Sequence, residues 1–291
     1  RLFCRITYSF KQLRSAILSY RVLALDLDGT TLTSDHHIIP AVRDAIRRLS
    51  SHYMVLLVTG RHHTAARPYH HELGLTTPVI SCNGTYVYDY QSNSVLTESA
   101  IPHDLAQQFL TLALQHELNL VMYVTDRMAF SANNPIAYMT VMERWAEQFP
   151  SDIRPQIVRV PSFEAELASS DYVWKFVAEG DLEKIAAFTQ LEWVQANFTG
   201  EKSWANRIDF SRRGNTKGAR LSEFLAQHQI DPQHVVAIGD NHNDISMLKL
   251  AGLGVAMANA EDEVKAIADQ VTRESNNGQG ILDVLQEYFG A

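Results

Sequence analysis

Val22-Leu23-Ala24-Leu25-Asp26-Leu27-Asp28-Gly29-Thr30 joins an unbroken apolar run to two aspartates separated by one leucine. Such a run predicts a strand buried on both faces, the habit of parallel sheets in α/β proteins. Carboxylates at the end of that strand add nothing to packing. They stand where open α/β sheets bind ligands, beyond the carboxyl ends of their strands. The strand period of two predicts Asp26 and Asp28 on one side, with Gly29 turning the backbone beneath them. Acids this close repel unless a cation or a shared proton intervenes, which points to a hard metal such as Mg²⁺.

Outward from this strand, Ile39, Val42, Ile46 and Leu49 fall at helical spacing, and Met54 to Val58 reads as a second buried strand ending at Thr59-Gly60-Arg61. Strand, helix, strand is a βαβ unit. A third run, Val79 to Cys82, ends at Asn83-Gly84. The alternation resumes with a helix over about 217–227, a strand over 235–238, a helix over 245–250, a strand over 254–257, a helix over 264–268 and a short strand near Val271. These two stretches predict a doubly wound parallel sheet, a Rossmann-like α/β core built from residues 21–84 and 206–291.

Residues 85–205 read differently. Tyr86 to Tyr88 is expected as a hairpin strand, 105–118 as an amphipathic helix, 120–125 as a strand, 136–149 as a Trp-bearing helix, and 172–178 and 191–198 as strands. Mixed polar and aromatic strands suggest an antiparallel sheet with one solvated face, hence an inserted α+β cap domain joined by two short crossings near 84 and 206, the expected hinges.

The 291 residues are 46% hydrophobic and 20% charged, enough apolar material for one large or two ordinary soluble domains. A formal net charge of -8 argues against general nucleic-acid binding, while leaving room for a small anion held by local cations. Two cysteines, Cys4 and Cys82, supply neither a disulfide framework nor a zinc spacing, so a cytoplasmic setting is expected. No apolar run approaches a transmembrane helix, and Leu2, Phe3 and Ile6 are too few for a signal-peptide core. Arg1, Arg5, Lys11 and Arg14 make residues 1–20 basic. That segment is expected to be a poorly ordered extension; an amphipathic arm for a membrane or partner is the other reading. Oligomeric state is not legible.

Three more segments end apolar elements with polar groups. Thr59 and Gly60 offer a hydroxyl and a backbone N–H to an anion. Lys217, in Gly214-Asn215-Thr216-Lys217-Gly218, opens a helix, so its ammonium and the positive helix end act together. Gly239-Asp240-Asn241-His242-Asn243-Asp244 closes the strand that begins at Val235. The order DxDGT, VTGR, inserted domain, NTKG, GDNxND resembles the haloacid-dehalogenase-like hydrolases, within them the Cof-type subgroup, over residues 21–291. Arg61-His62-His63 and Cys82-Asn83-Gly84-Thr85-Tyr86 further resemble the pyridoxal phosphate phosphatases of that subgroup.

That resemblance implies a phosphatase. Asp26 would be the nucleophile that forms an aspartyl-phosphate, and Asp28 the general acid and then general base. Mg²⁺ would be held by Asp26, the backbone carbonyl of Asp28, and Asp240. Thr59, Gly60, Lys217, Asn243 and the backbone around Leu27 would grip the phosphoryl oxygens, with Asp244 in support. An acid at position 28 suits a phosphoester, whose alkoxide leaving group needs a proton. The expected partner is a small phosphorylated metabolite, pyridoxal 5'-phosphate first. Sugar phosphates and flavin mononucleotide are alternative substrates; a phosphomutase and a non-catalytic phosphometabolite-binding regulator are alternative functions.

Arg61, His62 and Asn83 lie near the expected crevice and are candidate substrate contacts. His62, His63, His70 and His71 contain no i, i+4 pair, so zinc is not expected. Cys82 reads as a small core residue, and Trp145, Trp174, Phe176, Trp193 and Trp204 as cap core, with cover for a planar substrate ring the other reading of one or two of them. Asp209 stands either near the site or at the end of the cap's return strand.

Overall fold

The computed structural model describes residues 20–290. The basic segment, apart from Tyr20, lies outside the described residues, as does Cys4. The chain divides into two compact units, residues 1–55 with 224–291 and residues 56–223. The expected crossings near 84 and 206 both fall inside the second unit.

In chain order, β1 (Val22–Leu25) leads to α1 (Pro40–Leu49), β2 (Met54–Val58), α2 (His63–Glu72) and β3 (Val79–Ser81). The predicted spacing produces α1: Pro40 opens it, and Val42, Ala45, Ile46 and Leu49 form its buried face. Next come the hairpin β4 (Tyr86–Asp89) and β5 (Ser94–Glu98), α3 (His103–Gln115), β6 (Asn119–Val124), β7 (Arg127–Ser131), α4 (Ala137–Ala146) and β8 (Ile157–Val160). Then α5 (Phe163–Ser169), β9 (Val173–Glu179), α6 (Leu182–Thr189), α7 (Glu192–Asn197), β10 (Phe198–Trp204) and β11 (Arg207–Arg212) follow. The chain returns through α8 (Lys217–Gln227), β12 (Val235–Gly239), α9 (Ile245–Leu250), β13 (Leu253–Ala256), α10 (Asp262–Ile267), β14 (Gln270–Val271) and α11 (Gly280–Phe289).

The first unit holds parallel strands in the order β14-β13-β12-β1. Every residue of β1 is buried, as the apolar run requires. α11 goes beyond the predicted elements, although Ile281, Val284, Leu285 and Phe289 bury at helical spacing. The mixed α/β fold with a Rossmann-like parallel sheet is the expected class.

The second unit holds β2 and β3 in parallel, continued antiparallel by β4 and β5. It also holds a six-stranded sheet in the order β10-β11-β9-β6-β7-β8. Three expectations for this region are corrected. The strand predicted over 191–198 is α7 followed by β10, because Leu191, Val194 and Phe198 keep a helical spacing that buries Val194. β7 and β8 pair in parallel. The second sheet face is not solvated: Val121, Met128, Phe130 and Val177 form an apolar cluster with Ala65, Ile136 and Met139. The opposite face packs around Phe109, Phe176, Phe188 and Phe210.

Candidate active site

In the first unit, parallel pairing of β1 with β12 sets Leu25 beside Ile238, so the residues that follow each strand leave the sheet side by side. Asp26 donates its amide to Ile238 O at 3.1 Å, one step beyond the strand proper. Carboxylate oxygens of Asp26, Asp240 and Asp244 lie within 4.8 Å of one another. Asp26 is buried and Asp244 fully so. Three hard oxygen donors this close are the donor set that Mg²⁺ prefers, and a divalent cation relieves their repulsion. The residues present fit that ion.

Each acid is held by its neighbours. Asp244 Oδ2 accepts the amides of Asp240 at 2.9 Å and Asn241 at 3.0 Å, one arm of a capping box. Thr30 Oγ1 donates to Asp240 Oδ1 at 3.1 Å, and Thr31 Oγ1 to the carbonyl of Asp26 at 2.6 Å. Gly29, at φ +74°, passes so close that a Cβ would fall on the Asp240 carboxylate. The carboxylate of Asp28 stands outside the trio, half-exposed, with Oδ1 3.5 Å from His36 Nδ1. The turn after Leu25 thereby separates the two acids that strand alternation put on one side; the carbonyl role expected for Asp28 does not depend on where its carboxylate points.

In the second unit, three segments interlock. Thr59 donates its amide to Ile80 O, and Arg61 donates its amide to Thr59 Oγ1 at 3.1 Å. Asn83 N donates to Thr59 O and Cys82 N to Arg61 O, both at 3.0 Å. Cys82, Asn83 and Gly84 run consecutively at φ +48°, +57° and +86°, a left-handed stretch rare outside functional sites. Arg220 Nε donates to Gly84 O at 2.9 Å, and Asn215 Nδ2 to Ser99 O at 2.9 Å. Lys217, the first residue of α8, is fully buried. Thr59, Gly60, Asn83 and the Lys217 turn are thus brought together by Asn215 and Arg220, whose parts the sequence reading missed. Gly84 carries a testable consequence, because a Cβ there meets the Thr216 carbonyl as well as the unfavourable φ. Gly84→Ala is expected to lose about 2 kcal/mol in chemical denaturation.

A model of the haloacid dehalogenase-like hydrolase family matches residues 23–285. The chain belongs to this family. It is 39% identical over 256 residues to the pyridoxal phosphate phosphatase YbhA of Escherichia coli K12, covering 87% of this chain and 93% of the relative. It is 28% identical over 275 residues to the 5-amino-6-(5-phospho-D-ribitylamino)uracil phosphatase YitU of Bacillus subtilis, covering 92% and 97%. A haloacid dehalogenase-like hydrolase structure from Bacteroides thetaiotaomicron shares the fold, with a TM-score of 0.81 at 24% identity over 92% of this chain and 99% of that one. This haloacid dehalogenase-like hydrolase is a phosphatase. No helix among the described residues is long and apolar enough to cross a membrane.

The hydrolase gives His62 and His63 structural tasks. His62 caps α2: Nδ1 accepts the Thr64 amide at 3.2 Å, which leaves Nε2 to donate to Val124 O at 2.8 Å. Both ring nitrogens are occupied by these contacts within the fold. Burial pushes the His62 pKa down to about 3, against the Val124 bond and with help from the nearby Lys175 charge. Burial likewise holds His63 well below its usual range, where it meets Tyr86 Oη at 2.9 Å and stacks on Tyr88. A depressed histidine binds more protons unfolded than folded. Its stabilisation is therefore complete above the ordinary value of 6.5 and is lost as pH falls from there toward about 3. His62 alone is expected to add up to about 1.4 kcal/mol per pH unit to acid destabilisation. Urea midpoints between neutral pH and pH 5 measure it, and His62→Asn should flatten the slope.

Arg61 lies over the rings of Tyr69 and Trp145, 5.0 and 5.2 Å from their centroids. Asn83 Nδ2 donates to Glu201 Oε2. Burial raises the Cys82 thiol to about 12, which suits a core residue and not a nucleophile. Trp174 and Phe176 are core and Trp145 and Trp193 partly buried, whereas Trp204 is 68% exposed at the end of β10 and is no part of it.

Proposed function

We propose that the chain is a Mg²⁺-dependent phosphatase that hydrolyses a small phosphomonoester, pyridoxal 5'-phosphate in preference, through an aspartyl-phosphate. The observation that carries the reading is the carboxylate trio around Asp26 at the carboxyl ends of β1 and β12. The resemblance at Arg61-His62-His63 and Cys82 to Tyr86, together with the similarity to the Escherichia coli enzyme, supports the substrate.

An Asp26 oxygen attacks phosphorus in line as the bond to the leaving oxygen breaks, and Asp28 gives that oxygen its proton. Asp28 then takes a proton from water as the water attacks the aspartyl-phosphate, which frees phosphate and restores Asp26. Asp26, the carbonyl of Asp28, and Asp240 would hold Mg²⁺, with the Asp244 carboxylate supporting them. The bound ion would offset the negative charge that a carboxylate meets on approaching a phosphate dianion. Thr59, Gly60, Lys217, Asn243 and the Leu27 backbone supply donors to the phosphoryl oxygens. Within this reading residues 21–84 and 206–291 are the hydrolase core, residues 85–205 the cap, and the setting cytoplasmic.

Phosphate release from pyridoxal 5'-phosphate, flavin mononucleotide, sugar phosphates and a phosphoribityl compound, each with Mg²⁺ and with chelator, tests the reading. Pyridoxal 5'-phosphate should show the highest kcat/KM and chelator should abolish it. Preference for another ester reassigns the substrate; chelator-insensitive turnover overturns the metal-dependent mechanism.

A further inference from the structure

Lys175 and Asp209 form an ion pair between the neighbouring strands β9 and β11 of the six-stranded sheet; Lys175 is remote in sequence from every motif, and Asp209 stands a few residues before the Lys217 motif. Lys175 of β9 pairs in register with Tyr123 of β6 and Ser211 of β11, and Asp209 pairs with Val177. Lys175 is 3% exposed, its Nζ bonded to Asp209 Oδ2 and 4.5 Å from the Tyr123 ring centroid. Burial works against its charge and the Asp209 carboxylate more than offsets that, so its pKa stands above the ordinary lysine range. Buried pairs of this kind are weak sources of stability, because apolar residues of similar volume often serve as well.

One bond of the pair leaves the sheet. Lys175 Nζ donates to the carbonyl of Gly60 at 2.9 Å. That carbonyl shares a peptide unit with the Arg61 amide, and no peptide among the described residues is cis. In a trans unit C=O and N–H point in opposite directions, so an ammonium on the carbonyl aims and polarises the amide on the far side. The amide in question is the one that donates to Thr59 Oγ1 at 3.1 Å. An oxygen occupied in this way turns its own O–H proton elsewhere. The same loop is tied to the same sheet by His62 Nε2 on Val124 O, and the 82–84 turn, which bonds to Thr59 O through the Asn83 amide, is tied to it by Asn83 on Glu201.

We propose that Lys175 and Asp209 are positioning residues for phosphate binding. The ammonium holds the Gly60 carbonyl, the Gly60–Arg61 peptide turns its N–H onto Thr59 Oγ1, and the Thr59 hydroxyl proton is committed to a phosphoryl oxygen. This rests on the phosphate-binding role proposed above for Thr59.

The test is a mutant cycle between Thr59→Val and the double variant Lys175→Met/Asp209→Leu, which removes both charges and strands neither. The double variant should melt within a few degrees of the parent, yet lose about 30-fold in kcat/KM on p-nitrophenyl phosphate and bind inorganic phosphate about tenfold more weakly. Thr59→Val should cost about as much alone and under about threefold more in the double-variant background. Full multiplication of the two losses, or unchanged activity in the double variant, overturns the relay. If the parent releases no phosphate, the function proposed above fails instead. The relay is then read from hydrogen exchange at the Arg61 amide, expected about tenfold faster in the double variant and overturned by no change. Should the double variant not fold, Lys175→Gln is used, with the same two outcomes for exchange at Arg61.

Discussion

Asp26→Asn is expected to abolish turnover, with kcat reduced by at least about 10⁴-fold while the fold survives. The amide is nearly isosteric with the acid and keeps the backbone contacts, in which the carbonyl of Asp26 accepts from Thr31 and its amide pairs with Ile238. It cannot form the acyl phosphate, and it removes one negative charge from a trio whose oxygens lie within 4.8 Å. Melting temperature should hold or rise in the absence of metal, because like charges repel at that separation. Steady-state phosphate release together with a thermal melt decides it. Turnover within tenfold of the parent would remove Asp26 from the nucleophile's role.

Lys217→Met should cost about 10³-fold in kcat/KM, close to what losing one preorganised donor does in other enzymes and amplified by full charge. Lys217 is fully buried at the first position of α8, so its ammonium sits in a low-dielectric setting where an electrostatic contact is strong. Methionine preserves most of the packed volume, which keeps the expected loss in catalysis and out of folding. Inhibition by inorganic phosphate should weaken in parallel. A loss of under tenfold in kcat/KM, with phosphate inhibition intact, would leave Lys217 a structural residue.

Much of this architecture was legible from patterns that are local in the chain. β1 and α1 carry their burial in their own spacing, and the turn residues Gly29 and Gly84 announce positions where a side chain has no room. The parts that were not legible share a cause. Leu191 to Phe198 satisfies a helix and a strand equally well over so few residues, and only packing against the sheet settles it as α7 then β10. The cap that His62 makes with Thr64 is local, but its second bond depends on Val124, a residue that only the fold brings near. Asp209 had no neighbour in sequence to explain it until β9 placed Lys175 against it.

By itself the sequence determined the α/β class and the four motifs in which the proposed acids and lysine stand, because each of those is written in a short run of neighbouring residues. Tertiary structure alone decided which acids gather and which stand aside. Asp244 joins Asp26 and Asp240 because parallel pairing of β1 with β12 aligns two distant strand ends, while Asp28 turns toward His36 once the strand has ended. Register between strands far apart in the chain is a property of the folded sheet, and carboxylate separation follows register.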